Sequence, residues 1–122
     1  MNFKVLIADD DYINRRLLLS LLKKQLYQVE VLEAVDGESA LALSQENKDI
    51  ELIIADVEMP MMDGSAFIKK YRYENPNSHV PILAISSNDL RAKEVLYMGA
   101  NKFLTKPITG DKLLDAIMNV QN

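Results

Sequence analysis

The sequence contains no cysteine, no apolar run near the ~20 residues that a membrane-spanning helix needs, and no excess of basic residues. The lack of cysteine excludes disulfide bonds and thiolate metal sites, and it fits a reducing compartment. The net charge of −4 argues against a basic face that binds nucleic acid. The first residues, MNFKVLIADDD, lead directly into acids, so we expect no signal peptide. These absences predict a cytoplasmic domain that binds neither membrane nor nucleic acid.

The remaining composition is that of one globular domain. The chain has 122 residues, of which 48% are hydrophobic and 26% are charged. A domain of this size buries roughly two thirds of its unfolded surface, which is enough for a core. The sequence shows no internal repeat, no low-complexity tract and no linker. We therefore expect residues 1–122 to form a single domain.

Short apolar segments alternate five times with segments of helical periodicity. This alternation, with short connections, predicts an α/β fold in which helices cover both faces of a parallel sheet, a doubly wound (βα)5 arrangement. The predicted strands are Phe3–Ala8, Val29–Ala34, 52–55, 81–85 and 102–104. The predicted helices begin at Tyr12 and after Gly64 and Thr109, and otherwise span 38–44 and 89–98.

Helix ends and faces can also be assigned from the sequence. Asp11 and Thr109 stand where helix N-caps are expected, and Gly99 stands at a C-terminal cap position. In the first helix, apolar residues recur at helical spacing, with Arg15 and Arg16 off that face. The predicted apolar face consists of Ile13, Leu17, Leu18, Leu21 and Leu22.

Polar side chains gather at the carboxyl ends of the predicted strands, where ligands bind in open α/β sheets. Each of them interrupts or ends an apolar run, so all should lie at the same edge of the sheet. The set consists of Asp9, Asp10 and Asp11 after the first strand, Asp56 after the third, Ser86 and Ser87 after the fourth, and Thr105 and Lys106 after the fifth.

Such a set indicates phosphoryl transfer. The carboxylates of Asp9, Asp10 and Asp56 would repel one another unless protonated or neutralised by a cation, and Mg²⁺ is the hard ion that suits one or two direct carboxylate ligands. Lys106 and the Ser86 hydroxyl would suit the oxygens of a transferring phosphoryl group, with an Asp56 oxygen as the nucleophile.

Each feature also has an ordinary structural explanation. Acids favour a helix N-terminus, Asp56 could begin a loop, Ser86 could cap a helix, and Lys106-Pro107 could be a turn. Their joint occurrence at the same end of successive strands favours a functional site.

With these residues in view, the sequence resembles the receiver domains of bacterial response regulators over nearly all its length. The most specific element is a D-x-x-M-P-x-M-D-G segment that begins at the phosphoacceptor position. The matching residues are Asp9 and Asp10 for the acidic pair; Asp56, Met59, Pro60, Met62, Asp63 and Gly64 for this segment; Ser86 for the hydroxyl; Lys106 and Pro107 for the K-P pair; and Phe103 for the aromatic switch.

The resemblance implies a flavodoxin-like strand order of 2-1-3-4-5 and a cis Lys106-Pro107 peptide bond. It implies that Asp10, Asp56 and the backbone carbonyl of Glu58 bind Mg²⁺, with Asp9 acting mainly through water. Lys106 would pair with Asp56 and then with the phosphoryl group. Ser86 would hydrogen-bond a phosphoryl oxygen, and the side chains of Ser86 and Phe103 would carry the switch.

The same resemblance implies partners and a role. The phosphodonor would be a sensor histidine kinase or a histidine phosphotransfer protein, and the signal would pass to an effector protein or a fused output domain. A phosphorylation-dependent homodimer is a further expectation. The chain would not be an enzyme, since it would catalyse only its own aspartyl phosphorylation and dephosphorylation.

Three other functions compete with this interpretation. A binding module of the same fold that works without phosphorylation should lack Asp10, Asp56, Ser86 or Lys106, and all four are present. An aspartate-nucleophile phosphatase would resemble D-x-D-x-T after the first strand. A flavodoxin-like nucleotide binder would need a Ser/Thr/Gly-rich loop there. The sequence ADDDYIN fits neither.

Overall fold

The five apolar segments form one parallel sheet in the order β2-β1-β3-β4-β5. The computed structural model describes residues 2–120. Its strands are β1 (Phe3–Ala8), β2 (Val29–Ala34), β3 (Leu52–Asp56), β4 (Ile82–Ser86) and β5 (Lys102–Thr105). Its helices are α1 (Tyr12–Gln25), α2 (Gly37–Glu46), α3 (Gly64–Glu74), α4 (Ala92–Met98) and α5 (Gly110–Val120), with a 3-10 helix at Asp89–Arg91. The predicted fold and strand order are confirmed. None of the helices within 2–120 has the length and apolar character to cross a bilayer.

The strand register places the ends of the central strands side by side. β1 pairs with both β2 and β3, so the strand order reverses at this point. Ala8 is opposite Ala55 in the β1–β3 pair, and Ser86 is opposite Thr105 in the β4–β5 pair. The residues that follow β1, β3, β4 and β5 therefore emerge at one edge, which is where ligands bind in such sheets.

Two hydrophobic cores lie on opposite faces of the sheet because side chains alternate along each strand. In β3, Ile53 and Ala55 join the core under α2, α3 and α4, whereas Leu52 and Ile54 join the core under α1 and α5. Every residue of β3 is buried, as expected for a strand covered on both faces. The fully buried β3 fixes the position of Asp56 at its end.

The buried face of α1 is narrower than predicted. Leu18 and Leu22 are buried as expected, but Ile13 is 70% exposed and Leu17 is 45% exposed. The predicted apolar face of α1 is therefore only partly buried. Both side chains instead present apolar surface to solvent at the end of the helix that is nearest to the polar strand ends.

Arg15 is buried, although the sequence placed it off the apolar face of α1. Its Nη1 donates a 2.8 Å hydrogen bond to the carbonyl of Asp9, and its Nε donates a 3.1 Å bond to Glu33. Arg16 also donates to Glu33, and this pair lowers the pKa of the Glu33 carboxyl. These partners compensate the desolvation of the guanidinium, so a charged residue occupies a position that periodicity assigns to the surface.

The predicted caps are confirmed, but the fourth helix begins later than predicted. Asp11 accepts from the amide of Ile13, Thr109 accepts from the amide of Lys112, and Gly99 ends α4 at φ 125°. Residues 89–91 form a 3-10 helix because the amide of Arg91 bonds to the carbonyl three residues earlier. The α-helix proper is Ala92–Met98 rather than 89–98.

Candidate functional site

The three predicted carboxylates meet at the carboxyl ends of β1 and β3. Asp9 and Asp10 follow β1, and Asp56 is the last residue of β3. One oxygen from each lies within 4.8 Å of the others. Asp9 is 0% exposed and Asp56 is 4% exposed, whereas Asp10 is exposed. Two of the three charges are therefore removed from water and the third lies at the rim.

Lys106 is the cation of this cluster. Its Nζ lies 3.1 Å from Oδ2 of Asp56 and 3.9 Å from Oδ2 of Asp9. The lysine follows β5 directly, and its amide donates to the carbonyl of Ser86 at 2.9 Å. The peptide bond between Lys106 and Pro107 is cis, as predicted. The position of the ammonium is thus set by the pairing of β5 with β4.

The electrostatics of the cluster are dominated by burial. The pKa of Asp56 is raised to about 6, chiefly by burial and also by the charge of Asp9, and Lys106 only partly opposes these two effects. Burial also raises the pKa of Asp9, against a hydrogen bond of 2.9 Å from the Asp11 amide. One ammonium therefore faces three carboxylates, and the site has an excess of negative charge.

The cluster fits a hard divalent cation. Oδ2 of Asp9 is buried and accepts no hydrogen bond from any group within residues 2–120. The Lys106 ammonium, at 3.9 Å, is beyond hydrogen-bonding distance, and a buried carboxylate oxygen without a hydrogen bond is costly unless a cation or water satisfies it. Oxygen atoms of Asp9, Asp10 and Asp56 are close enough together to surround one ion of this kind. The carbonyl of Glu58, predicted as a further ligand, stays a prediction.

Ser86 is the last residue of β4 and is fully buried. Its Oγ donates a 2.6 Å hydrogen bond to Oε1 of Glu58 and accepts a 2.9 Å bond from the amide of Asn88. The hydroxyl lies at the same sheet edge as the carboxylates, as predicted. The bond to the Glu58 carboxylate is not among the predictions, which assign a role only to the backbone carbonyl of Glu58.

Arg91 contacts Glu58 and is absent from the set of residues predicted at the site. Its Nη1 donates to Oε2 of Glu58 at 3.1 Å, its Nη2 to Asp63 at 3.4 Å and its Nε to Glu94 at 2.6 Å. The bond to Glu94 contributes most to raising the pKa of the guanidinium. Its pairing with Glu94 is local, three residues along the chain, whereas Glu58 and Asp63 come from the loop after β3 and give no local sequence signal.

Phe103, the predicted switch residue, lies in the middle of β5 opposite Ala84 of β4. It is half-buried and packs against the core beneath α2, α3 and α4. Its role as a switch, like the individual roles of Ser86, Lys106 and the aspartates, stays a prediction.

The loop after Asp56 is held close to the site by Gly64. The Gly64 amide donates to the carbonyl of Val57 at 2.8 Å. A Cβ atom at Gly64 would stand 2.1 Å from the carbonyl oxygen of Asp56, so only glycine fits. Asp63, the next residue toward the N-terminus, caps α3 through a 2.9 Å bond from the amide of Ala66. The D-x-x-M-P-x-M-D-G segment is therefore a tight loop that ends in a helix cap.

The protein-family model "Response regulator receiver domain" matches residues 5–118. The chain belongs to this family. It is a CheY-like receiver domain of two-component systems. Receiver domains interact with histidine kinases and with output domains.

Relatives of this receiver domain differ greatly in length. The response regulator PleD of Caulobacter vibrioides is 36% identical over 110 residues, which are 88% of this chain and 24% of PleD. A chemotaxis protein CheY homolog of Campylobacter jejuni is 32% identical over 119 residues, which are 96% of this chain and 91% of that protein. The chain thus spans about a quarter of PleD and nearly all of the CheY homolog.

Solved structures agree with the fold. The CheX-CheY-BeF3-Mg complex from Borrelia burgdorferi contains a chain that matches with a TM-score of 0.89 at 27% identity, covering 98% of this chain and 90% of that one. The receiver domain therefore has the architecture of CheY, with its carboxylate cluster at the edge of the sheet where the strand order reverses.

Proposed function

We propose that this receiver domain is a phosphorylation-activated switch in which Asp56 accepts a phosphoryl group in a Mg²⁺-dependent step. The observation that carries the proposal is the contact of the Lys106 ammonium with a buried Asp56 carboxylate that lies among two further carboxylates. This is the set of groups that a phosphoryl group on a carboxylate needs: a nucleophilic oxygen, a fixed cation and ligands for a divalent ion.

The residues divide the chemistry between them. An oxygen of Asp56 forms the new O–P bond while the N–P bond of a phosphohistidine breaks. The electron pair of the N–P bond remains on the imidazole nitrogen. A pKa of about 6 leaves Asp56 mostly ionised at neutral pH and hence able to attack. Lys106 neutralises charge on the phosphoryl oxygens, and the Ser86 hydroxyl donates a hydrogen bond to one of them.

Mg²⁺ would be held by Asp10 and Asp56, by Asp9 mainly through water, and by the carbonyl of Glu58. When bound, the ion would offset the excess negative charge of the carboxylates and of the incoming phosphoryl group. The relative from Borrelia burgdorferi was solved in a complex that contains BeF3 and magnesium. The buried Oδ2 of Asp9 in this chain, which accepts no hydrogen bond within residues 2–120, would be satisfied by such an ion.

The donor we propose is a phosphohistidine on a sensor histidine kinase or on a histidine phosphotransfer protein. A groove of about 300 Å³ runs beside Lys106 and is lined by Leu17 and Pro107, among others. The exposed apolar side chains of Ile13 and Leu17 lie on the first turns of α1. A partner that covers this apolar surface would bring its imidazole to the side of the site where Lys106 lies.

The recipient of the signal is an effector protein or a fused output domain, and a phosphorylation-dependent homodimer is a third form of output. The signal would leave through the surface around α4 and β5, next to Phe103. This surface carries the exposed apolar residues Leu90 and Tyr97. The domain is not an enzyme acting on a separate substrate, because its only reactions are the phosphorylation and dephosphorylation of its own Asp56.

Intact-mass measurement tests the proposal. With Mg²⁺ and acetyl phosphate, the wild type should gain one phosphate that is labile to acid and base, and Asp56→Asn should gain none. Addition of a chelator should abolish the labelling. Equal labelling of both proteins would overturn the assignment of Asp56. A wild type that is never labelled would instead favour a receiver-fold module that works without phosphorylation.

A further inference from the structure

The hydroxyl of Ser86 is already engaged before any phosphoryl group arrives. Its Oγ donates to Oε1 of Glu58 at 2.6 Å, and the side chain is fully buried. A serine hydroxyl has only one proton to donate. Ser86 therefore cannot donate to a phosphoryl oxygen on Asp56 while it donates to Glu58.

The Glu58 carboxylate is held in place from its other side. Its Oε2 accepts a 3.1 Å bond from Nη1 of Arg91, so each carboxylate oxygen has a partner. Arg91 is itself fixed by bonds to Asp63 and Glu94. Since the guanidinium fork is rigid and always charged, Arg91 orients the half-exposed Glu58 carboxylate toward Ser86.

We propose that the Glu58 carboxylate is a built-in placeholder for the phosphoryl group, an autoinhibitory contact that occupies Ser86 until Asp56 is phosphorylated. The inference rests on the proposed function of Asp56. The carboxylate offers Ser86 the same type of partner that the phosphoryl group offers, namely a negatively charged oxygen that accepts a short hydrogen bond. Phosphorylation must therefore displace one anion by another.

The displacement has a direction. A phosphoryl group brings roughly two negative charges to the site, against one on the carboxylate, so it takes the Ser86 proton and repels Glu58. Arg91 then loses one of its three acidic partners. Because Arg91 is the last residue of the 3-10 helix and immediately precedes α4, its rearrangement reaches the start of that helix. The contact thus links the state of Asp56 to the position of α4.

The experiment measures the affinity for beryllofluoride, an analogue of the phosphoryl group, at saturating Mg²⁺. Glu58→Ala should bind it about tenfold more tightly than the wild type, because a hydrogen bond to a charged acceptor no longer has to be broken. Glu58→Gln keeps a neutral acceptor of similar size and should gain about threefold, since such bonds are roughly half as strong. Glu38→Ala, which removes the same charge from the exposed first turn of α2, should not change the affinity.

A double-mutant cycle with Ser86→Ala separates the placeholder from simple charge repulsion. In the Ser86→Ala background, the gain from Glu58→Ala should fall to less than about twofold, because no hydroxyl remains to be released. If Glu58→Ala raises the beryllofluoride affinity as much in that background as in the wild type, or raises it in neither, the placeholder role of Glu58 is overturned. Failure of the wild type to bind beryllofluoride, together with absence of labelling by acetyl phosphate, would overturn the proposed function itself. A folded, beryllofluoride-binding wild type with unchanged Glu58 variants would overturn only the placeholder.

Discussion

The Lys106 ammonium donates a 3.1 Å hydrogen bond to the Asp56 carboxylate, yet the pKa of that carboxyl is raised rather than lowered. A lysine at this distance favours the ionised carboxylate, so the opposing effects must be larger. They are the burial of Asp56 and the charge of Asp9. The repulsion among the carboxylates is therefore not fully offset by the one lysine. Several measurable properties depend on this excess of negative charge.

Magnesium should stabilise the fold. At about a hundred times its dissociation constant, a ligand at a single site adds about 2.7 kcal/mol to the free energy of unfolding. Asp56→Asn removes one of the mutually repelling charges, so its melting temperature without metal should exceed that of the wild type, and its response to Mg²⁺ should be smaller. Thermal melts with and without Mg²⁺ would measure both effects. A wild-type melting temperature that does not respond to Mg²⁺ would contradict the cation site.

The stability of the metal-free protein should depend on pH through Asp56. Its pKa rises from 3.8 when unperturbed to about 6 in the fold, so between these values the native state binds more protons than the unfolded state. The free energy of unfolding from this group therefore falls as pH rises from about 4 to about 6, by on the order of 3 kcal/mol in total. Asp56→Asn should lack this decrease.

Chemical denaturation of both proteins at pH 4.5 and pH 7.5, in the presence of a chelator, checks the sign. The stability advantage of Asp56→Asn should be larger at pH 7.5. Carboxyls whose pKa is lowered, such as Glu33 and Asp36, contribute equally in both proteins and cancel in the difference. An advantage that is the same at both pH values would mean that the Asp56 pKa is not raised.

Ser86→Ala should separate phosphorylation from its distal effect. The nucleophile, the lysine and the metal ligands all remain, so Asp56 should still be labelled by acetyl phosphate. The hydrogen bond that distinguishes the two states is lost, and it contributes about 1.5–3 kcal/mol, enough to shift a two-state equilibrium tenfold or more. Amide chemical shifts with and without beryllofluoride would show this. Shifts of α4 and Phe103 as large as those of the wild type would contradict the route through Ser86.

The strands and the edge that carries the site follow from the sequence, whereas the side-chain partners at that edge do not. All five predicted strands end within one residue of the observed bounds. The clearest are β3 and β4, because fully buried strands leave continuous apolar runs. Helix α1 contains a buried residue that hydrophobic periodicity alone does not predict. Arg15 is buried because Glu33 and the carbonyl of Asp9 lie within its reach, and neither neighbour is visible at helical spacing.

The contact between Glu58 and Ser86 shows the same limit. A glutamate two residues after Asp56 looks like an ordinary exposed loop residue in the sequence. Its position depends on Arg91, which is brought to it by the turn after β4 and not by proximity along the chain. Tertiary partners of long polar side chains carry no local signal, so they emerge only from the three-dimensional structure.

Gly64→Ala should destabilise the domain and disturb Asp56 specifically. The added Cβ would stand 2.1 Å from the Asp56 carbonyl oxygen, so the backbone of the loop must move. We expect a loss of about 1–3 kcal/mol in unfolding free energy and slower labelling of Asp56. Gly110→Ala is the matched control, because its Cβ would approach no closer than 3.0 Å to the flexible end of Gln25. Equal losses in both variants would contradict the close approach at Gly64.

The groups of the site come from four strand ends, and the last of them, Lys106, follows the final strand. A chain that is still being synthesised, or one in which β5 has detached, holds its aspartates without the ammonium. The Ser86 carbonyl then also loses the amide of Lys106 as its partner. Under the proposed function, the ammonium that would neutralise the phosphoryl oxygens reaches Asp56 only when β5 is paired with β4. The proposed chemistry would then depend on the last strand of the sheet, so a partly folded domain would lack one of the groups that the reaction uses.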